Sequence, residues 1–117
     1  MNNEIISVFK LNIERENLPA FKKLVEKIVN KTKEEAGTLT YVYSIDEKQN
    51  SVHIVERYKE NSLLSHIDFT FAPFAEEFLK LATITELTVY GNPNEVEKER
   101  LNKFGAIYLT PFDGFSK

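Results

Sequence analysis

A histidine that precedes a run of phenylalanines is the feature of this sequence best suited to chemistry. His66 is followed by Phe69, Phe71, Phe74 and Phe78. Histidine is the side chain most easily poised to exchange a proton near neutral pH. We therefore predict that His66 is a base or proton shuttle, with Phe71 and Phe74 as the walls of an apolar pocket. The alternative is a structural histidine, hydrogen-bonded between a helix and a strand.

A second group of candidate residues lies in an alternating segment upstream of this histidine. Glu56 and Tyr58 share one strand face with Val52 and Ile54, which is an unusual place for a carboxylate. Glu56 is a candidate base or orienting group, and Tyr58 a candidate hydrogen-bond partner of a substrate. The alternatives are a buried Glu56 paired with Arg or Lys and an ordinary half-buried Tyr58. His53 falls on the other strand face and is predicted to lie at the surface.

Two aromatic residues on other predicted strands, Phe9 and Tyr43, are further candidates for the lining of a ligand pocket. A metal site is not expected, because the chain has two His, no Cys and no repeated close spacing of His and carboxylates. Four Gly in the whole chain also leave no phosphate-binding loop. The expected ligand is a small apolar or aromatic molecule.

The composition limits the class of protein. The 117 residues fit one domain, and a net charge of −3 without a concentrated basic stretch argues against binding to nucleic acid or to a membrane surface. The N-terminus lacks the pattern of a secretory signal. No apolar run approaches the roughly 18 residues of a membrane span. Together with the absence of Cys, these features predict a cytoplasmic protein.

Hydrophobic periodicity predicts an α+β fold. Alternating residues predict strands at 5–13, 39–46, 52–59 and 83–91, and helical spacing predicts helices that begin near Asn17 and Thr70. Asn17 and Thr70 are the expected N-caps, Gly37 the expected stop of the first helix, and Asn61 or Ser62 the cap of a short helical turn through His66. This βαββαβ order is the ferredoxin-like arrangement, with a four-stranded antiparallel sheet and helices on one face.

The predicted domain of residues 1–91 is followed by an extension at 92–117. Asn92 as cap, Pro93 at the first helical position and Glu95 three residues after the cap predict a short helix, which Gly105 ends. A short strand is expected at 106–110. Pro111 restricts that strand to an edge.

The strands offer no clearly polar face to solvent. A sheet with helices on one side only would then expose a large apolar patch. We therefore expect a homodimer in which two sheets pack face to face as a barrel, and the strand near 106–110 could pair across that dimer. The alternative is a monomer whose C-terminal tail folds over its own sheet.

Three segments resemble one known family in their order and spacing. EAGTLTY at 35–41 is similar to the E-x-G-x-x-x-Y segment of antibiotic biosynthesis monooxygenase domains. ERY at 56–58 resembles the E-x-W/Y that closes the third strand, and LLSH at 63–66 resembles the helix that presents the family's histidine. The resemblance covers nearly the whole chain.

The resemblance implies a dimeric α+β barrel that oxidises phenols or quinols with O₂ and uses no metal, flavin or haem cofactor. It assigns the role of base to His66 and a hydrogen-bonding role to Tyr58. The sequence departs from the family by placing Phe71 where some members have a second His, and Tyr58 where others have Trp. Two hypotheses follow: a cofactor-independent monooxygenase for a small aromatic, or a stress-associated or ligand-binding protein without chemistry. A weaker third is a structural dimer whose cavity is filled by its own side chains.

Overall fold

A mixed sheet with helices on one face forms the protein, and the computed structural model describes residues 3–117. The elements in chain order are β1 (Ile5–Asn12), α1 (Leu18–Thr32), β2 (Thr38–Asp46), β3 (Ser51–Tyr58), α2 (Leu63–Ser65), α3 (Ala75–Leu81), β4 (Thr83–Tyr90), α4 (Glu95–Asn102) and β5 (Ala106–Leu109). A 3₁₀ turn precedes α1 (Arg15–Asn17). A π-helical turn (His66–Phe71) and a 3₁₀ turn (Ala72–Phe74) connect α2 to α3.

The sheet has five strands in the order β2-β3-β1-β4-β5. The pairs β2–β3, β3–β1 and β1–β4 are antiparallel, whereas β5 runs parallel to β4. The predicted four-stranded antiparallel sheet is therefore extended into a mixed sheet. The strand near 106–110 pairs with β4 of its own chain, because α4 forms the crossover that a parallel neighbour needs.

Strand alternation divides the sheet into an inner face under the helices and an outer face. On β3 the inner residues are buried and the outer residues are exposed or half-buried. The main core lies between the inner face and the helices α1 and α3, and consists of Leu11, Ile13, Phe21, Leu24, Ile28, Val52, Ile54, Phe78 and Ala82. A second cluster around Leu63, Leu87 and Leu101 joins α2 and α4 to the sheet.

The first helix ends earlier than the sequence predicts. α1 stops at Thr32, whose hydroxyl donates to the Ile28 carbonyl, and turns continue from there to the start of β2. Asn17 occupies the N-cap position as predicted, although its side chain makes no capping hydrogen bond. The early end of α1 leaves Glu35 in a turn, where its side chain can reach the helical segment after β3.

The segment that carries His66 is not a helix capped by Thr70. The chain passes from α2 into the π-helical turn, and Thr70 lies within that turn. The hydroxyl of Thr70 donates to the Glu35 carboxylate, so this side chain is not used to cap a helix. π-Helical turns occur often at functional sites, because the wider turn redirects its side chains.

The C-terminal helix begins two residues later than predicted. Asn94, not Asn92, is the cap: its side chain accepts from the Glu97 amide at 2.8 Å, and the Glu97 carboxylate accepts from the Asn94 amide at 2.9 Å. This reciprocal capping box satisfies two amide donors at once, which a start at Asn92 would not do.

The capping box predicts different effects for two asparagines two positions apart. Asn94→Ala should lower the free energy of unfolding by about 1 kcal/mol, because the Glu97 amide loses its acceptor. Asn92→Ala, as the matched control, should change it by less than about 0.5 kcal/mol. Urea denaturation of both variants measures the two values, and equal losses would contradict the placement of the cap.

Candidate functional site

A narrow cavity of about 30 Å³ lies between the inner sheet face and the helical segments. Its walls are formed almost entirely by apolar and aromatic side chains, with a few polar groups among them. The lining residues are Ser7, Phe9, Tyr41, Tyr43, Ile54, Glu56, Leu63, His66, Ile67, Phe71, Phe78, Ile84, Leu101 and Phe104. A space of this size holds a few water molecules at most, so a larger ligand requires movement of the walls.

Glu35, in the turn after α1, binds three donors from separate segments. Thr38 at the start of β2 donates its hydroxyl to Oε1 at 2.6 Å, and Thr70 of the π-helical turn donates to Oε2. The Nδ1 atom of His66 lies 3.1 and 3.2 Å from the two carboxylate oxygens. The Glu35 carboxylate therefore fixes the position of the His66 ring.

His66 is almost completely buried, and burial lowers its pKa below the usual value, while the Glu35 carboxylate opposes that shift. The ring is therefore mainly neutral at pH 7. With Nδ1–H donating to Glu35, the lone pair lies on Nε2, which makes no hydrogen bond among the described residues. The ring also packs against Tyr41, Tyr58 and Phe71, at centroid distances of 5.0, 5.7 and 6.4 Å. A histidine held in this way is suited to act as a base.

Gly37 allows the segment of Glu35 to lie against the segment of His66. A Cβ atom at position 37 would come within 2.4 Å of the Ser62 Cβ and 2.0 Å of its Oγ. The Gly37 carbonyl also accepts from the Lys59 amide at 2.8 Å. Glycine is required at this point because of the close approach of two chain segments, not because of its backbone angles.

A second acidic group, Glu56, lies on the inner face of β3 and lines the cavity. It is fully buried and accepts a hydrogen bond from the Tyr58 hydroxyl. Burial raises the pKa of Glu56 to about 7, although the Tyr58 hydroxyl favours the charged form. Ser7, its neighbour across the strands, is also buried and lines the cavity. The carboxyl group is thus poised to hold or release a proton at neutral pH.

Two tyrosines form a hydrogen-bonded pair beside these groups. The hydroxyls of Tyr41 and Tyr43 lie 2.9 Å apart, and both side chains line the cavity. Burial raises the pKa of each tyrosine above its usual value, and the Glu56 carboxylate adds to the effect. The two hydroxyls therefore stay protonated: one donates to the other, and the second can donate a hydrogen bond to a ligand.

The structure places most of the predicted site residues around one cavity. The lining of this cavity includes His66, Glu56, Phe71, Phe9 and Tyr43. His53 is exposed, as predicted. Tyr58 lies behind Glu56 and does not line the cavity, and Glu56 is paired with this tyrosine, not with Arg or Lys. Phe74 is also outside the lining, with the Lys31 ammonium over its ring.

Three residues of the site were not predicted from the sequence as site residues: Glu35, Tyr41 and Thr70. Glu35 and Tyr41 are the first and last residues of the E-x-G-x-x-x-Y segment, so that motif was an available signal. Thr70 carries no such signal, because only the π-helical turn directs its hydroxyl toward Glu35. Between residues 3 and 117, no cluster of His, Asp and Glu is suited to bind a metal, and no helix is long and apolar enough to span a membrane.

Comparison with solved structures identifies proteins that have a similar fold. MupZ from Pseudomonas fluorescens is 28% identical over 100% of this chain and 91% of its own, with a TM-score of 0.86. SnoaB, a cofactor-independent oxygenase from Streptomyces nogalater, is 13% identical over 80% of this chain and 97% of its own, with a TM-score of 0.66. The chain has an antibiotic biosynthesis monooxygenase-like fold.

A third structure agrees with this assignment. A candidate antibiotic biosynthesis monooxygenase from Chloroflexus aurantiacus is 14% identical over 78% of this chain and 94% of its own, with a TM-score of 0.63. By sequence, no protein-family profile and no curated protein matches the chain. The monooxygenase-like fold is therefore evident from the three-dimensional structure and from the short motifs around the cavity.

The raised pKa of Glu56 makes the stability of the protein depend on pH. The rise of the Glu56 pKa from 4.5 to about 7 corresponds to about 3 kcal/mol in the free energy of unfolding. This contribution to stability is fully present below pH 4.5, where Glu56 is protonated, and is lost as the pH rises through 7. Glu56→Gln keeps an acceptor for Tyr58 and should remove this loss. We expect the variant to gain stability relative to the wild type between pH 5 and pH 8, as measured by urea denaturation across this range.

Histidines and other acids contribute equally to both proteins, so the difference between variant and wild type isolates Glu56. A difference that stays constant from pH 5 to pH 8 would contradict a raised pKa at this position. Glu60→Gln, at an exposed glutamate beyond the end of β3, is the matched control and should give such a constant difference.

Proposed function

We propose that the protein is a cofactor-independent monooxygenase that oxidises a small phenol or quinol with O₂. The observation that supports this proposal is the buried, neutral His66, held by Glu35 beside an apolar cavity. The antibiotic biosynthesis monooxygenase-like fold and its similarity to an oxygenase described as cofactor-independent support the reaction class.

The reaction starts with removal of the hydroxyl proton of the substrate by Nε2 of His66. The resulting phenolate is electron-rich and reacts with O₂ itself. One oxygen atom of O₂ enters the ring as a carbonyl, and the other leaves as water with the former hydroxyl and ring C–H hydrogens. The substrate is oxidised to a quinone and O₂ is the oxidant, so the balance requires no other redox group.

The remaining polar groups of the cavity have separate roles in this proposal. Tyr41 donates a hydrogen bond to the substrate oxygen as negative charge develops on it. Glu56, with a pKa of about 7, supplies a proton to the departing oxygen atom, and Tyr58 positions its carboxyl group. Phe9, Phe71 and Tyr43 exclude water from the reacting ring.

The size of the cavity indicates that binding requires a local rearrangement. Small-molecule pockets usually measure about 300–1,000 Å³, which is far more than the cavity in the present conformation. Ile67 and Phe71 belong to the π-helical turn, and both line the cavity. Rotation of these two side chains would enlarge the cavity and leave the hydrogen bonds from Glu35 to His66 and Thr70 in place.

His66→Ala should abolish O₂ consumption with a panel of substituted hydroquinones, because the base is lost. Glu35→Gln should lower the rate by about 10²-fold or more, since the amide no longer fixes the ring or stabilises its protonated form. His53→Ala removes the exposed histidine of the same chain and is the matched control. An oxygen electrode measures the rates, and circular dichroism verifies the fold.

Turnover of His66→Ala at the wild-type rate would remove His66 from the mechanism. Retained affinity for an aromatic ligand, with no O₂ uptake by the wild type on any of the substrates, would favour the second hypothesis. In that case the cavity binds an apolar ligand without chemistry, and Glu35 and His66 serve only as hydrogen-bonding groups.

We further propose that the protein is a homodimer joined through the outer face of the sheet. The apolar residues of this face are Ile6, Val8, Val42, Val55, Tyr90, Ile107 and Leu109, and the last five are more than a third exposed. Within this face, Lys10 pairs with Glu86 at 3.0 Å and Arg57 pairs with Glu4 at 2.7 Å. A face whose exposed residues are apolar, and whose charged residues form ion pairs with each other, is suited to pack on the same face of a second copy.

Val55→Lys should shift the protein from dimer to monomer, because a charge is placed in the centre of the outer face opposite Val42. Leu79→Lys, at a half-exposed position of α3 on the helical side, is the matched control and should leave the dimer intact. Sedimentation velocity over a range of concentrations measures the two states. Equal dissociation of the wild type and both variants would contradict an interface on the outer face.

A further inference from the structure

The C-terminal tail, residues 110–117, crosses one end of the outer face and is fixed there by hydrogen bonds. The Arg57 guanidinium donates to the Lys117 carbonyl oxygen at 3.1 Å, and the Ser116 hydroxyl donates to the Glu4 carboxylate at 3.1 Å. Because Arg57 and Glu4 also form an ion pair, one charged pair on the sheet holds the end of the tail.

A mostly apolar gap of about 410 Å³ separates this tail from the sheet. Ile6 and Tyr90 form its floor, and Pro111 and Phe115 contribute to its roof. Among residues 3–117, no side chain fills the gap. An apolar space of this size at the surface favours occupation by an apolar side chain from outside the chain.

The tail also presents an apolar side chain that is almost fully exposed to solvent. Phe112 is 96% exposed and does not line the gap, although both of its sequence neighbours do. Burial of an exposed phenylalanine on a fixed segment is favourable, because apolar surface is removed from water. The tail therefore has one exposed apolar side chain and covers an apolar gap.

We propose that Phe112 of each protomer inserts into the gap beneath the partner's tail. In a two-fold symmetric dimer, a protrusion and a recess on the same face can satisfy each other twice. The proposal rests on the homodimer proposed above and specifies how its ends are joined. In this arrangement the tail contributes contacts to the dimer in addition to those of the sheet residues.

Sheet spacing supports an occupant that comes from a second copy. Packed sheets lie about 10 Å apart, so a tail on one sheet occupies the layer into which the partner's residues must fit. At this end of the face the partner therefore meets the tail and not the strands. The tail has one cation, Lys117, and one acid, Asp113, so it lacks the basic cluster that binds an anionic membrane.

The absence of Cys from the chain permits a direct test by disulfide formation. Phe112→Cys protein is mixed with tagged Tyr90→Cys protein, allowed to exchange subunits, and oxidised under mild conditions. The expected product is a covalent heterodimer with one tagged subunit. Phe69→Cys replaces Phe112→Cys in the matched control, because Phe69 is 75% exposed but lies in the π-helical turn on the helical side.

A second measurement is independent of disulfide geometry. Phe112→Ser should raise the dissociation constant of the dimer by about tenfold or more, whereas Phe69→Ser should not change it. Both positions are exposed, so neither variant is expected to unfold the chain. The expected outcome is weaker association of Phe112→Ser alone.

The outcomes separate this inference from the proposal of a dimer. A wild-type dimer that gives no mixed disulfide above the control, and that Phe112→Ser does not weaken, overturns insertion of Phe112 and leaves the interface on the sheet standing. A wild type that stays monomeric at all concentrations overturns both. Binding of the wild-type protein to anionic vesicles through its tail, together with an unchanged dimer dissociation constant in Phe112→Ser, would also overturn the proposal.

Discussion

The hydrogen bonds of the Glu35 carboxylate hold the candidate site together. Thr38, Thr70 and His66 come from the start of β2 and from the π-helical turn, and all three contact this one group. A carboxylate that is removed from water is costly unless its oxygens are hydrogen-bonded. The same requirement that satisfies Glu35 therefore brings His66 to the cavity and fixes its tautomer, so local stability and candidate chemistry depend on one interaction.

The two acidic residues of the site differ because their surroundings differ. Glu35 is partly accessible and has three donors, whereas Glu56 is fully buried among apolar side chains with Tyr58 as its donor. Burial is the largest cause that raises the pKa of Glu56 to about 7, and the Glu35 carboxylate adds to it. Two carboxyl groups around one cavity can thus take different parts in proton transfer, one by orienting a base and the other by carrying a proton.

One face of the sheet carries the candidate site, and the other is the face proposed to form the dimer. Inner residues of β1, β2 and β3 line the cavity, and outer residues of the same strands form the apolar face proposed to bind a second copy. Because side chains alternate along a strand, Glu56 faces the cavity while its neighbour Arg57 holds the C-terminal tail. A shift of one residue in the pairing of β3 would exchange the faces on which these two side chains lie, so both the candidate site and the position of the tail depend on the strand register.

The sequence by itself determined the α+β class, the order of the main strands and helices and the grouping of His66, Glu56, Phe71, Phe9 and Tyr43, because these depend on periodic patterns and short motifs. The E-x-G-x-x-x-Y motif of Glu35, Gly37 and Tyr41 is also visible in the sequence, but the contacts that require these residues are not. Only the tertiary structure decided that Glu35 binds His66, that Thr70 donates to Glu35 without capping a helix, and that β5 lies parallel to β4. These features depend on contacts between residues distant in the chain, and local sequence preferences carry no information about them.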